Sequence, residues 1–178
     1  MLGISQKVQD KIQEIVYKFD KIAIFAGSMQ EGRDLEEIIC DCERMNLALI
    51  LCGPKISERL AEKINLHANV FYLGNLNESD LAYVYGNVCV GYVNYSNKPL
   101  NTKYCAPVKI WEYRMRGLYI FSNHNYAMKN EWSDLVDRFY GMPDPASDSV
   151  LHEDIFSRPP VGLTVRTFEN MLSSVAAE

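Results

Sequence analysis

The sequence predicts an α/β fold: an open parallel sheet of about five or six strands with helices on both faces. Two observations carry that expectation. Short runs rich in Val, Ile and Leu alternate with amphipathic segments along most of the 178 residues. Within the runs, apolar residues follow one another instead of alternating with polar ones, as in strands buried on both sides. With 48% apolar residues the chain has enough material for one domain with a sizeable core.

Ile4, Val8, Ile12, Ile15, Val16 and Phe19 recur at helical spacing, which predicts an amphipathic helix within residues 1–20. Lys21 to Gly27 (KIAIFAG) then reads as a first strand closed by glycine. Asp34, with Glu37 three residues on, predicts a cap and box for a helix whose Leu35, Ile38, Ile39, Cys42 and Met45 share a stripe. Leu47 to Gly53 is the second strand, and Ser57 caps a helix carrying Leu60, Ala61 and Ile64. Asn69 to Gly74 is the third, and Ser79 starts a short helix with Leu81, Val84 and Tyr85. Val88 to Tyr95 is the fourth. A polar loop from Ser96 to Ala106 leads into a helix from Pro107 to Arg116, and Leu118 to Asn123 forms the fifth strand. Beyond it we expect a helix from Glu131 to Tyr140, a loop from Gly141 to Ser149, and a closing helix from Thr164 to Ala176. The divisions are thus 1–20, a domain over 21–150, and a terminal segment over 151–178.

Composition narrows the function. A formal charge of −5, with Lys and Arg scattered singly, argues against a broad nucleic-acid footprint. No apolar run approaches the roughly 20 residues of a membrane helix, and Met1 to Asp20 has no signal-peptide core, so a cytoplasmic location is expected. Cys40, Cys42, Cys52, Cys89 and Cys105 form an odd set without a C-x-x-C pair, so neither disulfides nor zinc are expected. His67, His124 and His152 have no ligand-spaced partners, Asp144 and Asp148 read as turn residues, and Ser28 and Ser122 lack a nucleophile elbow. No side chain is assigned to catalysis.

Open α/β sheets bind ligands beyond the carboxyl ends of the strands, where the strand order reverses. For the order 3-2-1-4-5, the facing loops are Gly27 to Arg33 and Asn94 to Lys109, which are also the two most unusual loops of the chain. The first (GSMQEGR) opens a helix and has two glycines, suited to close approach by a phosphate, although it is no P-loop and reads equally as a plain turn. In the second, Pro107 suits a first helical turn, and Lys109 puts a cation at the positive end of the helix dipole, a placement that an anionic ligand would offset. Glu112 shares its face one turn deeper, where a carboxylate could accept from two ribose hydroxyls; a Lys–Glu pair at this spacing is also a common surface contact. Among the many tyrosines, Tyr95 and Tyr104 are expected at the crevice and Tyr83, Tyr85 and Tyr92 in packing.

The segment P-x-K-x-x-E-Y-x-x-x-G (Pro107, Lys109, Glu112, Tyr113, Gly117) before an apolar strand resembles the donor-binding, C-terminal domain of GT-B glycosyltransferases. The likeness is to the large retaining family that builds bacterial polysaccharides. The strand ends at Gly27 and at Gly53-Pro54, and Asn69 to Gly74 followed by Asp80-Leu81, recur there in the same order. The resemblance implies a Rossmann-like half of a GT-B fold. Glu112 would bind the ribose, Lys109 and Arg33 would face the diphosphate with Gly27 and Ser28 beside them, and the loops after Gly53 and Gly74 (Pro54, Leu76) would enclose base and ribose. Two positions depart from the family: Tyr104 stands where a second Glu is common, and Ser28 where a basic residue often follows the first glycine.

The implied function is the donor half of a hexosyltransferase. It would use a UDP- or GDP-linked sugar and no further cofactor, with a saccharide or lipid-linked acceptor held by a missing N-terminal domain in cis or trans. Such a chain would be inactive alone, and the missing half would bring it to the inner membrane surface. A non-catalytic nucleotide-binding or interaction module, and an epimerase-like nucleotide-sugar enzyme, are the alternatives. Nucleotide binding separates the interaction module from the others.

Overall fold

The computed structural model describes residues 3–29, 33–54, 56–96, 108–141 and 156. Tyr104, Cys105, Pro107, the expected loop from Met142 onward and the expected closing helix lie outside them.

Six parallel strands form one sheet in the order β3-β2-β1-β4-β5-β6. They are β1 (Ile22–Ala26), β2 (Ala48–Cys52), β3 (Val70–Gly74), β4 (Val90–Val93), β5 (Tyr119–Asn123) and β6 (Arg138–Tyr140). The helices are α1 (Gln6–Lys18), α2 (Leu35–Arg44), α3 (Glu58–Asn65), α4 (Glu78–Tyr85), α5 (Val108–Met115) and α6 (Tyr126–Glu131), with a 3₁₀ turn at Ser133–Leu135. The central strands β1, β2 and β4 are buried at every position, as their unbroken apolar runs require. β3, at the edge, is half-exposed after Val70.

The period-2 alternation of the strands divides the core in two. Ile22, Ile24, Ala48 and Ile50 face α1, α4, α5 and α6, where Val8, Ile12, Ile15, Val84, Ile110 and Met128 cover them. Ala23, Phe25, Leu49 and Leu51 face α2 and α3, under Leu35, Ile38, Ile39, Cys42 and Ile64. The N-terminal helix is therefore part of the core: Ile12 and Ile15 are fully buried. Asp80 at the start of α4 holds its first turn, accepting from the Ser5 N–H at 2.7 Å and the Ser5 hydroxyl at 3.1 Å.

Three local expectations are corrected. Residues 131–140 are not a helix: α6 ends at Glu131, and β6 runs parallel to β5 with Phe121 opposite Arg138 and Asn123 opposite Tyr140. Arg138 and Tyr140 are buried because strand geometry turns them both toward the α2 face, a period-2 pattern hidden by the arginine. Asp34 does not cap α2 with its side chain; its backbone is left-handed at φ 44°. Its carbonyl, and that of Arg33, are instead reached by the Asn94 amide at 3.4 and 3.0 Å. α4 is capped by Asn77, whose side chain accepts from the Asp80 N–H, not by Ser79. The Ser57 cap on α3 is present as expected.

Two buried ion pairs fasten the sheet's far edge. Asp41 of α2 accepts from the Arg138 guanidinium at 2.7 Å and from the Tyr92 hydroxyl at 2.6 Å. Arg114 of α5 pairs with Asp137 at 2.7 Å, both almost fully buried, and Asp137 also accepts from the Ile120 N–H.

Candidate functional site

The strand order reverses between β1 and β4, and the two strands pair through Ala23↔Val90 and Ile24↔Gly91. Beyond that point the β1 edge turns to a side chain: the Ala26 N–H donates to the Tyr113 hydroxyl at 3.1 Å. Tyr113 can reach it because Gly91 carries no side chain. A Cβ at Gly91 would lie 2.2 Å from the Tyr113 ring. This close approach seats α5 on the sheet and sets Lys109, one turn before Tyr113, over the carboxyl ends of β1 and β4.

Two adjoining hollows open there. One, of about 220 Å³, is lined by Gly27, Arg33, Asn94, Tyr95, Val108 and Lys109 among others. The second, of about 170 Å³, is lined by Gly27, Cys52, Gly53, Pro54, Leu76 and Lys109 among others. Ala26, Gly27 and Lys109 belong to both, so the ammonium stands at the junction. Of the residues singled out in the sequence, Gly27, Arg33, Gly53, Pro54, Leu76, Tyr95 and Lys109 are thus brought together. Ser28 lies beside them with its hydroxyl buried and without a hydrogen-bond partner among the described residues.

The two strand-end turns interlock. A Cβ at Gly53 would stand 2.0 Å from the Gly27 carbonyl oxygen, a backbone atom that cannot swing aside. Among the described residues a Cβ at Gly27 would meet nothing within 4 Å, and Gly27 itself lines both hollows. Gly53→Ala is therefore expected to displace the Gly27 turn and to destabilise the chain by about 1–3 kcal/mol. Gly27→Ala should leave stability nearly unchanged. Paired thermal melts check this, and equal midpoints for the two variants would contradict the geometry.

Arg33 lies across the first hollow, its guanidinium 4.3 Å from the Tyr95 ring centroid and donating to the Asn94 carbonyl at 3.2 Å. Asn94 is the hub beneath it. Its amide donates to the Arg33 carbonyl, and its side-chain oxygen accepts from the Asn123 N–H at 3.2 Å and the Tyr140 hydroxyl at 2.5 Å. Asn123 in turn donates to the Tyr95 carbonyl at 2.8 Å. These buried amides fix the β4 and β5 ends, yet nothing in the sequence singled them out. Their partners lie 28 to 61 residues away along the chain, so no local pattern marks them.

Glu112 lines neither hollow and lies behind Lys109. The ammonium is 2.6 Å from Glu112 Oε2, and the Tyr85 hydroxyl donates to the same oxygen at 2.9 Å. Burial pushes the carboxyl up, but the Lys109 and Tyr85 hydrogen bonds outweigh it and hold Glu112 below its ordinary value. Tyr85, expected in packing, also has this polar contact; its ring meets Tyr113 edge-on at 5.8 Å and carries the Arg116 guanidinium at 4.5 Å. On the wall of the second hollow, burial pushes the Cys52 thiol up to about 12, so it stays a neutral thiol. Among the described residues no group of three His, Cys, Asp or Glu side chains could hold a metal. No described helix is long and apolar enough to cross a membrane.

No family model matches the chain, and no curated protein matches it. Solved structures do. AviGT4, a glycosyltransferase involved in avilamycin A biosynthesis, superposes with a TM-score of 0.62 at 15% identity, over 80% of this chain and 43% of its own. The C-terminal domain of LpcC, a glycosyl transferase group 1 family protein from Francisella tularensis, gives 0.54 at 11% identity, over 88% and 85%. OtsA in its apo structure gives 0.54 at 13% identity, over 88% and 44%. At these identities the likeness is one of fold. The chain is a Rossmann-like α/β domain, half of a GT-B fold, matching the C-terminal domain of glycosyltransferase structures. It spans under half the length of AviGT4 and of OtsA.

Proposed function

We propose that the chain is the donor-binding half of a glycosyltransferase, moving a hexosyl group from a nucleoside diphosphate sugar to a saccharide or lipid-linked acceptor. One observation carries this reading: Lys109 stands where two hollows meet, at the reversal of strand order, in the fold of a GT-B half. A diphosphate is the ligand such a junction suits. Its charge answers the ammonium and Arg33, and its two ends extend into separate hollows. Glu112, held charged beside Lys109, is then within one helical turn of the ribose. An acceptor domain, fused or supplied by another chain, completes the cleft, which fits a chain that spans 43% of AviGT4.

Calorimetry against UDP, GDP and ADP tests the reading. One of the three should bind in the micromolar to millimolar range expected of half a cleft. Glu112→Ala should weaken that binding by about 1–3 kcal/mol and leave the fold intact. Sugar transfer should appear when an acceptor domain is added. No binding of any diphosphate would refute the donor role and favour an interaction module, while transfer by this chain alone would refute the half-enzyme.

A further inference from the structure

Glu112 is held from one side. Both of its partners, the Lys109 ammonium and the Tyr85 hydroxyl, engage Oε2, and Oε1 carries no hydrogen bond among the described residues. The three groups close a ring, because Lys109 also lies 3.4 Å from the Tyr85 oxygen. A phenol has one proton to give. Here it goes to the carboxylate, while the phenol oxygen accepts from the ammonium. Burial, first of all, and then the neighbouring Tyr113 and the bond to Glu112 push the Tyr85 phenol above its ordinary value, so it keeps that proton.

The two partners differ in what else they can do. Lys109 is on a flexible stem, about a third exposed, and borders both hollows. An anion entering the junction competes with Glu112 for its ammonium. Tyr85 has no such freedom: its residue is 3% exposed, and its ring is wedged between Tyr113 and Arg116. When the ammonium turns toward a diphosphate, the phenol remains to hold Oε2, and Oε1 stays free of hydrogen bonds among the described residues.

We propose that Tyr85 is a positioning residue for Glu112: by fixing one carboxylate oxygen it presents the other to the 2′-hydroxyl of the ligand's ribose, and the preference for ribose over 2′-deoxyribose depends on it. This rests on the reading of the site as a nucleoside diphosphate site, and deepens it. Tyr85 does not touch the ligand, so its effect should appear in discrimination between sugars and not in the hold on phosphate.

The test compares the unmodified chain with Tyr85→Phe. Each is titrated with whichever of UDP, GDP and ADP binds best, with its 2′-deoxy analogue, and with inorganic pyrophosphate. Because Tyr85 acts on the ligand only through Glu112, its loss should weaken the ribonucleotide roughly 3–10-fold, the worth of one ordinary hydrogen bond. The deoxy analogue and pyrophosphate should bind as before, so the ribo-to-deoxy ratio collapses. An unchanged ratio overturns the role of Tyr85 and leaves the site reading intact. No binding by the unmodified chain overturns both. Should Tyr85→Phe fail to fold, the Tyr85 Cζ resonance of the carbon-labelled unmodified chain replaces it. That resonance should move with the ribonucleotide and stay still with the deoxy analogue, and equal movement overturns the proposal.

Discussion

Asp41→Ala is expected to destabilise the chain by about 3–5 kcal/mol, the cost of breaking a buried ion pair from one side. Asp41 and Arg138 are almost wholly removed from water, and the Tyr92 hydroxyl donates to the same carboxylate oxygen as the guanidinium. Alanine would take away the countercharge and the oxygen that the Arg138 guanidinium and the Tyr92 hydroxyl share, whose bonds now offset the desolvation of both donors. For a chain of this size the melting midpoint should fall by roughly 6–20 °C. The pair is not expected to be worth that much net, since apolar replacements of buried ion pairs are often neutral. Asp41→Ala with Arg138→Met should therefore recover most of the loss. Thermal melts of the single and double variants check both statements; a double variant as unstable as Asp41→Ala would show that the arginine is needed for more than its charge.

Lys109→Ala is expected to cause the largest loss of nucleoside diphosphate affinity of any single substitution in the crevice, about 10–100-fold. That corresponds to about 1.5–3 kcal/mol for hydrogen bonds from a charged donor. The reason is position. Lys109 borders both hollows, whereas Arg33 borders the first and has its guanidinium partly committed to the Asn94 carbonyl and the Tyr95 ring. Stability should hardly change. The Lys109–Glu112 pair is about a third exposed on each side, and such pairs contribute at most about 1 kcal/mol. Calorimetry with a parallel melt separates the two effects. Undiminished binding would mean that the ammonium serves only Glu112, the bland reading of a Lys–Glu pair at this spacing.

The layered frame, and with it the position of the crevice at the reversal of strand order, follows from local sequence pattern. Runs such as IAIFA and ALILC can be stable only with both faces covered, and the helical stripes between them supply the cover, so the alternation and the parallel sheet follow from burial alone. The motif around Lys109, Glu112 and Tyr113 was legible for a similar reason: its spacing lies within one helix, where i and i+3 are neighbours whatever the rest of the chain does. Contacts between distant elements depend instead on how the chain folds. Arg138 breaks the apolar pattern of β6 and hides the strand, and its charge is tolerated there because Asp41, 97 residues away, faces it. The polar roles of Tyr85 and Asn94 stay hidden along the chain because the Tyr85 hydroxyl finds Glu112 across 27 residues, and the partners of Asn94 lie on β5, on β6 and just before α2. Apolar burial is additive and periodic, so it is written along the chain. A buried polar group is stable only with a particular partner, and which residue that is depends on the fold bringing the two together.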